Sequence, residues 1–252
     1  MAIEFYVEVL NRLVSEGTVL ASDRVLVVCG GPLDARAFAS AGFRNVTVTN
    51  VDTGAANNLQ DAENLSYADG EFDFVVVHAG LHHCHSPHRA LLEMYRVARK
   101  CALAFEARDS LAMRMAVRLG LTVDYELEAV SEDFTTGGVA NGPVPNFVYR
   151  WTEREVRNTV ASYDPGKIHR TRFFYGLQIP TQRFEFTDNK AKQIAARLLG
   201  PLSHLLTKIA PKQGNRFAFA IIKTGLLHPW METPNRMSHS YAARHRRLYR
   251  AR

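Results

Sequence analysis

The apolar positions at the start of the chain follow a helical period. They recur at spacings of three and four residues, which places them on one face of a helix. These positions are Tyr6, Val9, Leu10, Leu13 and Val14. Gly17 follows as a stop signal. The pattern therefore predicts that an amphipathic helix opens the chain.

Short apolar runs follow, and they alternate with helical patterns. Runs typical of buried strands cover residues 24–29, 45–51 and 72–78, and another begins at Cys101. Helices are predicted between them, from about Asp34 to Gly42, from Ser86-Pro87 onward, and from about Ser110 to Leu119. Residues 121–130 are expected to be extended. Alternating strands and helices over residues 1–130 indicate an α/β fold with a doubly wound, mostly parallel sheet.

The second half of the chain continues this pattern after an interruption. Residues 131–146 are rich in turn formers and are expected to form a loop or lid. Thr152 and Glu155 form a capping box that opens a helix to about Ala161. Late strands are predicted around Phe173 and over residues 216–223, with helical segments after Asp188 and Pro201. We expect a single domain over 1–235, with a lid and substrate region near 131–151.

The net charge of +6 lies at one end of the 252-residue chain. Six arginines and no acidic residues occur from Arg236 onward. Residues 1–235 therefore hold 31 − 6 = 25 basic and 25 acidic residues. A formally neutral body argues against a surface that binds polyanions. Residues 236–252 form a basic tail, which either docks on RNA or an anionic membrane or packs on the body as a helix.

Composition and cysteine usage narrow the class of protein further. With 46% apolar and 22% charged residues the chain is globular, and its apolar runs are too short for a membrane span. Three cysteines without short paired spacing argue against a disulfide framework. The N-terminus does not resemble a signal peptide. A cytoplasmic protein with reduced cysteines is expected.

Three features between residues 30 and 61 are candidates for ligand binding. Gly30 and Gly31 form a turn after the first strand that lets a ligand approach the backbone. Asp52, after the second strand, is placed to accept the hydroxyls of a ribose. Asp61 is placed to read an adenine edge. Each is also an ordinary turn or surface acid when taken alone.

Residues 61–99, DAENLSYADGEFDFVVVHAGLHHCHSPHRALLEMYRVAR, carry a family resemblance. They resemble the middle of class I S-adenosylmethionine-dependent methyltransferases of the small-molecule type. That family places a glycine turn, an acid, an Asp-Ala pair and a Phe-Asp-x-Val strand in this order before a Leu-His-His element. The resemblance implies a Rossmann-like methyltransferase fold with seven strands, the last of them antiparallel.

The resemblance also implies roles for individual residues toward S-adenosylmethionine. Gly31 would face the methionine end, Asp52 the ribose, and Asp61 with the amide of Ala62 the adenine. His78 and Ala79 would line the cofactor near its methyl group. The turn departs from the family's acid-x-Gly-x-Gly-x-Gly pattern, because Val27 replaces the acid, Cys29 the first glycine and Leu33 the third.

Five of the ten histidines fall within residues 78–88, beside Cys84. Such a cluster could bind zinc, since imidazole and thiolate are zinc ligands. We expect no metal site, because ligands this close in one segment cannot all converge on one ion. In addition, no second cluster of His or Cys elsewhere in the sequence supplies further ligands. His82 and His83 are instead the candidate bases for a hydroxyl or ammonium acceptor. They are also compatible with packing or surface roles.

The residues that follow the turn-rich loop are predicted to recognise the methyl acceptor. Tyr149, Arg150 and Trp151 offer aromatic faces and a guanidinium to a sugar, phosphate or carboxylate. Trp151 also fits the apolar start of the following helix. The acceptor is expected to be a small molecule.

Two other functions remain compatible with the sequence. One is a non-catalytic module that binds S-adenosylmethionine, another nucleotide-like ligand or a partner, because the glycine turn is altered. The other is a nicotinamide-dependent enzyme, since Asp52 lies about 20 residues beyond the glycine turn. The missing G-x-G-x-x-G pattern argues against the second. Nucleic acid is an expected partner only through the basic tail, and the oligomeric state is left open.

Overall fold

The computed structural model describes residues 3–177, residue 194 and residues 208–250. The helical segments expected after Asp188 and Pro201 lie outside the described residues. The described strands are β1 (Val25–Val28), β2 (Val46–Asn50), β3 (Asn58–Leu59), β4 (Phe72–His78), β5 (Ala98–Arg108), β6 (Arg150–Trp151), β7 (Lys167–Gly176), β8 (Arg216–Leu227), β9 (Met231–Thr233) and β10 (Arg236–Met237).

The described helices follow the expected order along the chain. They are α1 (Ile3–Ser15), α2 (Pro32–Ser40), α3 (Pro87–Val97), α4 (Leu111–Arg118), α5 (Leu127–Val130), α6 (Glu153–Tyr163) and α7 (His239–Arg250). Short 3-10 turns cover Leu81–His83, Val139–Asn141 and Pro211–Gln213. Ser86 caps α3 and Thr152 caps α6 through the predicted capping box.

The main sheet confirms the predicted topology. Its strand order is β3-β2-β1-β4-β5-β8-β7, with β6 as a two-residue addition beside the carboxyl end of β5. The strands from β3 to β5 are parallel to one another, and β8 runs antiparallel to both β5 and β7. β7 and β8 are therefore the two late strands expected near Phe173 and Arg216.

The central strands are apolar on both faces because helices cover both sides of the sheet. Every residue of β1 is buried, and only His78 of β4 is not. Alternate residues of these strands enter two separate cores, with Leu26 and Val75 in one and Val27 and Val76 in the other. α1 and α2 pack in the second core, and α3 and α6 in the first. Polar groups are consequently confined to the ends of the strands.

The prediction of an extended segment over residues 121–130 is wrong. Only Tyr125 makes a strand-like bridge, to Phe147, and α5 follows directly. β5 already lies between β4 and β8, so no edge beside it is free for a further long strand. The segment pairs instead with the loop that returns toward β6, where the Val148 amide donates to the Asp124 carbonyl at 2.8 Å.

The basic tail contains a hairpin strand and a helix. The strands β9 and β10 pair antiparallel, so the domain boundary expected at residue 235 falls inside a hairpin. The Ser238 amide donates to the Trp230 carbonyl at 2.8 Å, and the rings of Trp230 and Tyr241 lie 6.4 Å apart. These contacts join α7 to the hairpin. In the part of the chain described, no helix is long and apolar enough to cross a membrane.

The two neighbouring glycines after β1 are expected to differ sharply in their tolerance of a methyl group. A Cβ on Gly30 would lie 2.6 Å from Val27 Cγ1 and 2.8 Å from Val48 Cγ1, whereas a Cβ on Gly31 meets nothing within 4 Å. Gly30→Ala should lower the free energy of unfolding by about 1–3 kcal/mol because of this overpacking. Gly31→Ala should stay near the wild type. Urea denaturation measures both, and equal stability of the two variants would contradict the described turn.

Candidate functional site

A cavity of about 410 Å³ opens at the carboxyl ends of β1, β2 and β4. In an open parallel sheet this edge is where ligands bind. The residues that line the cavity come from five segments of the chain. They are Cys29, Asn50, Val51, Asp52, Asp61, Ala62, Glu63, Ala79, Gly80, His83, Cys84, His85, Gly137, Gly138, Ala140 and Asn141.

The turn after β1 is fixed by hydrogen bonds to β2. The Gly30 amide donates to the Thr49 carbonyl at 2.8 Å, and Asn50 Nδ2 donates to the Gly30 carbonyl at 2.9 Å. The Gly31 amide donates to the Asp34 carboxylate at 2.9 Å, which caps α2. Gly30 is buried beneath the turn and Gly31 is half-buried at the start of α2. Cys29, at φ 52°, is the residue of the turn that lines the cavity.

Two acids predicted from the sequence lie on the cavity. Asp52 Oδ1 accepts the Gly54 amide and Asp61 Oδ1 accepts the Glu63 amide, both at 2.8 Å. Each carboxylate is therefore oriented by a local turn. Ala62, next to Asp61, also lines the cavity, as does Ala79 at the end of β4. The structure brings these four residues together.

Glu63 was not singled out by the sequence, yet it shapes one wall. Its carboxylate accepts the amides of His85 and Ser86 at 2.9 and 3.0 Å. It thereby ties the segment after β2 to the start of α3. Its position two residues beyond Asp61 is the only sequence signal for this role.

His78 lies away from the cavity, on the side of the sheet covered by α1. Its ring stacks on Tyr6 at 4.7 Å with an interplanar angle of 8°. Burial lowers the pKa of His78 to about 4, so the ring is neutral. Strand alternation explains the placement, because Val77 enters one core and the next residue turns to the other face. The expectation that His78 lines a cofactor is corrected accordingly.

His82 is held between two carboxylates behind the cavity wall. Its Nδ1 lies 2.7 Å from Glu106 Oε2, and its Nε2 lies 3.5 Å from Glu126 Oε2. Burial alone would lower the pKa of His82, but Glu106 and then Glu126 outweigh burial and raise it to about 10. Because both ring nitrogens face carboxylates, His82 does not have the geometry of a base for an acceptor. It positions its neighbours instead.

His83 is the histidine of the predicted pair that lines the cavity. Its Nε2 lies 3.4 Å from Glu126 Oε2, and its Nδ1 lies 3.4 Å from the Gly138 carbonyl oxygen. Burial, and then the charge on His82, lowers the pKa of His83. The hydrogen bond with His82 lowers the pKa of Glu126 to about 2. His83 is thus a neutral imidazole beside an ionised carboxylate.

Two of these acids come from parts of the chain to which the sequence assigned no chemistry. Glu106 is fully buried at the end of β5, and its Oε1 accepts the Leu81 amide at 2.8 Å. Glu126 accepts Asn146 Nδ2 at 3.1 Å. An acid inside the apolar run CALAFEA is a sequence signal for Glu106. Glu126 lies in a segment of alternating acids, which offers no such signal.

The turn-rich loop supplies the remaining wall of the cavity. Gly137, Gly138, Ala140 and Asn141 line it. The loop is closed on itself by bonds from the Gly138 amide to the Gly142 carbonyl and from the Val139 amide to the Val144 carbonyl. It therefore has a defined shape where it meets His83.

The three residues assigned to acceptor recognition lie elsewhere. Arg150 Nη1 pairs with Asp124 at 2.6 Å, and its Nη2 donates to the Val123 carbonyl at 2.6 Å. Trp151 is fully buried in the core, and the Tyr149 hydroxyl donates to Glu155. Arg150 therefore holds the 121–126 segment, and Trp151 packs at the start of α6. The structure corrects their assignment to the acceptor.

Two of the three free cysteines line the cavity. A hydrogen bond with Cys29, together with burial, raises the pKa of the Cys84 thiol. Cys84 Sγ also lies 3.6 Å from the Gly80 carbonyl oxygen. The thiol of Cys84 is therefore held in its neutral form between the turn after β1 and the end of β4.

Comparison with known proteins agrees with this geometry. Residues 26–105 match a family model described as a methyltransferase domain. The chain is similar in structure to the YcgJ protein of Bacillus subtilis, with 14% identity and a TM-score of 0.50 over 86% of this chain and 98% of that one. It is also similar to a SAM-dependent methyltransferase from Archaeoglobus fulgidus, with 13% identity and a TM-score of 0.50 over 88% and 95% of the two chains. No curated protein matches it.

These findings confirm the resemblance to class I methyltransferases and the fold that it implies. The matched residues 26–105 run from β1 into β5. They include every residue that lines the cavity except those of the turn-rich loop. The family resemblance and the cavity thus fall on the same part of the chain.

Glu106→Gln is expected to destabilise the protein in a pH-dependent way. Removing one partner of a buried ion pair costs about 3 kcal/mol. Because the pKa of His82 is raised from 6.5 to about 10, the pair stabilises the fold fully below pH 6.5, and this contribution is lost as the pH rises toward 10. Urea denaturation of both proteins between pH 6.5 and 10 should show the difference shrinking. Glu71→Gln, in a surface pair with Arg24, is the control. A constant difference across this range would contradict the charged pair.

Proposed function

We propose that the protein is an S-adenosylmethionine-dependent methyltransferase that acts on a small molecule or a sugar-containing metabolite. One observation carries the proposal. Asp52, Asp61, Ala62 and Ala79, which match the family motif in order, line a single cavity at the carboxyl edge of the sheet. A cytoplasmic location is part of this proposal.

The residues of the cavity suit the parts of the cofactor. The Asp52 carboxylate lies where it accepts ribose hydroxyls, as acids after the second strand do in dinucleotide sites. Asp61 and the amide of Ala62 offer an acceptor and a donor to an adenine edge. Ala79 and Gly80 present backbone at the end of β4, whereas Gly31, predicted to face the methionine end, does not line the cavity and donates its amide to Asp34. The volume of about 410 Å³ is typical of ligand pockets.

The protein's own contribution to the reaction is alignment and exclusion of water. Methyl transfer is an in-line displacement at a sulfonium carbon, so near-attack positioning supplies much of the rate. The loop segment 137–141 closes one side of the cavity opposite the glycine turn of β1. His83 forms the wall beside Gly80 and is proposed to contact the acceptor. His82 is proposed to position His83 and Glu126.

A non-catalytic role on the same fold is the second candidate. Val27 stands where the family has an acid, and its side chain is fully buried in the α1–α2 core. Cys29 occupies a left-handed conformation that favours glycine. Methyl transfer to any acceptor would exclude this candidate.

Asp52→Ala is expected to weaken binding of S-adenosylhomocysteine about 10- to 100-fold, because charge-assisted hydrogen bonds to the ribose are lost. Isothermal titration calorimetry measures the affinity. Asp69→Ala is the matched control, since its side chain is 82% exposed and precedes β4 at the opposite edge of the sheet. Absence of binding to the folded wild type at millimolar ligand would refute the proposal.

His83→Gln is expected to lower methyl transfer about 100-fold while changing the affinity for S-adenosylhomocysteine less than about threefold. The reason is that His83 is proposed to contact the acceptor and not the cofactor. Transfer from labelled S-adenosylmethionine to a panel of small hydroxyl and amine acceptors measures the first quantity. His239→Gln, at the start of α7, is the control. Equal losses of transfer and of affinity would argue against an acceptor role.

A further inference from the structure

The side chains of His82, His83 and Glu126, from two segments distant in sequence, lie close together at one wall of the cavity. His82 Nε2 and His83 Nε2 lie 3.5 and 3.4 Å from the same atom, Glu126 Oε2. One ligand atom from each of the three residues lies within 4.8 Å of the other two. Imidazole nitrogens and a carboxylate oxygen are ligands of zinc and of related divalent ions.

The separations of the two ring nitrogens from Glu126 Oε2 suit ligands of one ion. Ligand atoms about 2.0–2.1 Å from a tetrahedral zinc ion lie about 3.4 Å from one another. The separations of 3.4 and 3.5 Å agree with this value.

The outer nitrogens of both histidines are already oriented by oxygen atoms. His82 Nδ1 lies 2.7 Å from Glu106 Oε2, and His83 Nδ1 lies 3.4 Å from the Gly138 carbonyl oxygen. Histidines that bind metals commonly donate their second N–H to a carboxylate or a backbone carbonyl in this way. Once the His82 proton is displaced, both rings would direct an Nε2 lone pair toward an ion beside Glu126.

Without an ion, a proton on His82 links the carboxylates of Glu106 and Glu126, and a divalent ion would take the place of that proton. A neutral imidazole carries one N–H, so a ring that donates through Nδ1 presents a lone pair at Nε2. With His82 and His83 both neutral, two such lone pairs and the Glu126 carboxylate would face the bound ion. A divalent ion would also balance the two carboxylates, Glu106 and Glu126, that surround the cluster.

We propose that His82, His83 and Glu126 bind one zinc ion, with Glu106 and Gly138 orienting the two histidines. The ion is reachable from the cavity, because His83 lines the cavity and the side chains of His83 and Glu126 are 30% and 34% exposed. Three protein ligands leave a fourth position open, as in catalytic zinc sites. The proposal goes beyond methyl transfer, since it does not involve Asp52 or Asp61.

Calorimetric titration of the full chain, after removal of metals with a chelator, tests the site with Zn²⁺ alone. One equivalent should bind, and Co²⁺ should give the visible absorption of a tetrahedral complex. Glu126→Gln and His83→Gln should each weaken Zn²⁺ binding at least about 10- to 100-fold, and Glu106→Gln should weaken it by a similar factor. Circular dichroism verifies that each variant is folded. The partly exposed His83 provides a second ligand variant if a change at a buried position prevents folding.

Matched controls separate this site from its neighbours. Glu128→Gln changes an exposed acid two residues from Glu126, and it should leave Zn²⁺ binding unchanged. Asp52→Ala should also retain Zn²⁺ binding while losing affinity for S-adenosylhomocysteine, so the two proposals fail separately. No saturable binding by the wild type would overturn the zinc site. Binding that survives Glu126→Gln but is lost in Cys84→Ser would overturn it too, because the ion would then lie on the thiols.

Discussion

Glu106, two residues before the end of β5, has a fully buried carboxylate, and a buried carboxylate has to be paired with a charge or with hydrogen-bond donors. The Leu81 amide and the His82 ring meet this requirement, which fixes the segment that follows β4. His82 in turn faces Glu126, and Glu126 accepts a hydrogen bond from Asn146. A chain of paired polar groups therefore joins the sheet to the turn-rich loop. The walls of the cavity on this side depend on it.

The opposite side of the cavity depends on the backbone. Parallel strands buried on both faces bring their carboxyl ends to one edge, and there the turn after β1 is bonded to β2 through Thr49 and Asn50. Asp52 and Asp61 follow from this arrangement because each lies just beyond a strand end or turn. The proposed cofactor site is thus made by sheet topology, whereas the proposed acceptor side and zinc site are made by buried charge.

Most of the sheet was predictable because its signals are local. Continuous apolar runs mark β1 and β4, the Ser86 and Thr152 caps mark two helices, and late apolar runs mark β7 and β8.

Contacts between distant segments were not predictable. Hydrophobic periodicity does not show that Glu126 contacts His82 and His83. Nor does it show that Arg150 forms an ion pair with Asp124. The sequence offers no distant His or Cys as a further ligand, but folding brings a glutamate, Glu126, to the two histidines. His78 was misplaced because strand alternation decides its face, and the motif alone does not.

Amide hydrogen exchange with and without S-adenosylhomocysteine tests the central claim, that the cavity at the carboxyl edge binds the cofactor. The account predicts slower exchange at residues 50–54, 61–63 and 79–85 and in the loop at 137–142, which surround the cavity, and unchanged exchange in the β9–β10 hairpin. Bound amides and closed loops exchange more slowly because local opening is suppressed. Unchanged exchange around the cavity at saturating ligand, or protection confined to other segments, would contradict the account.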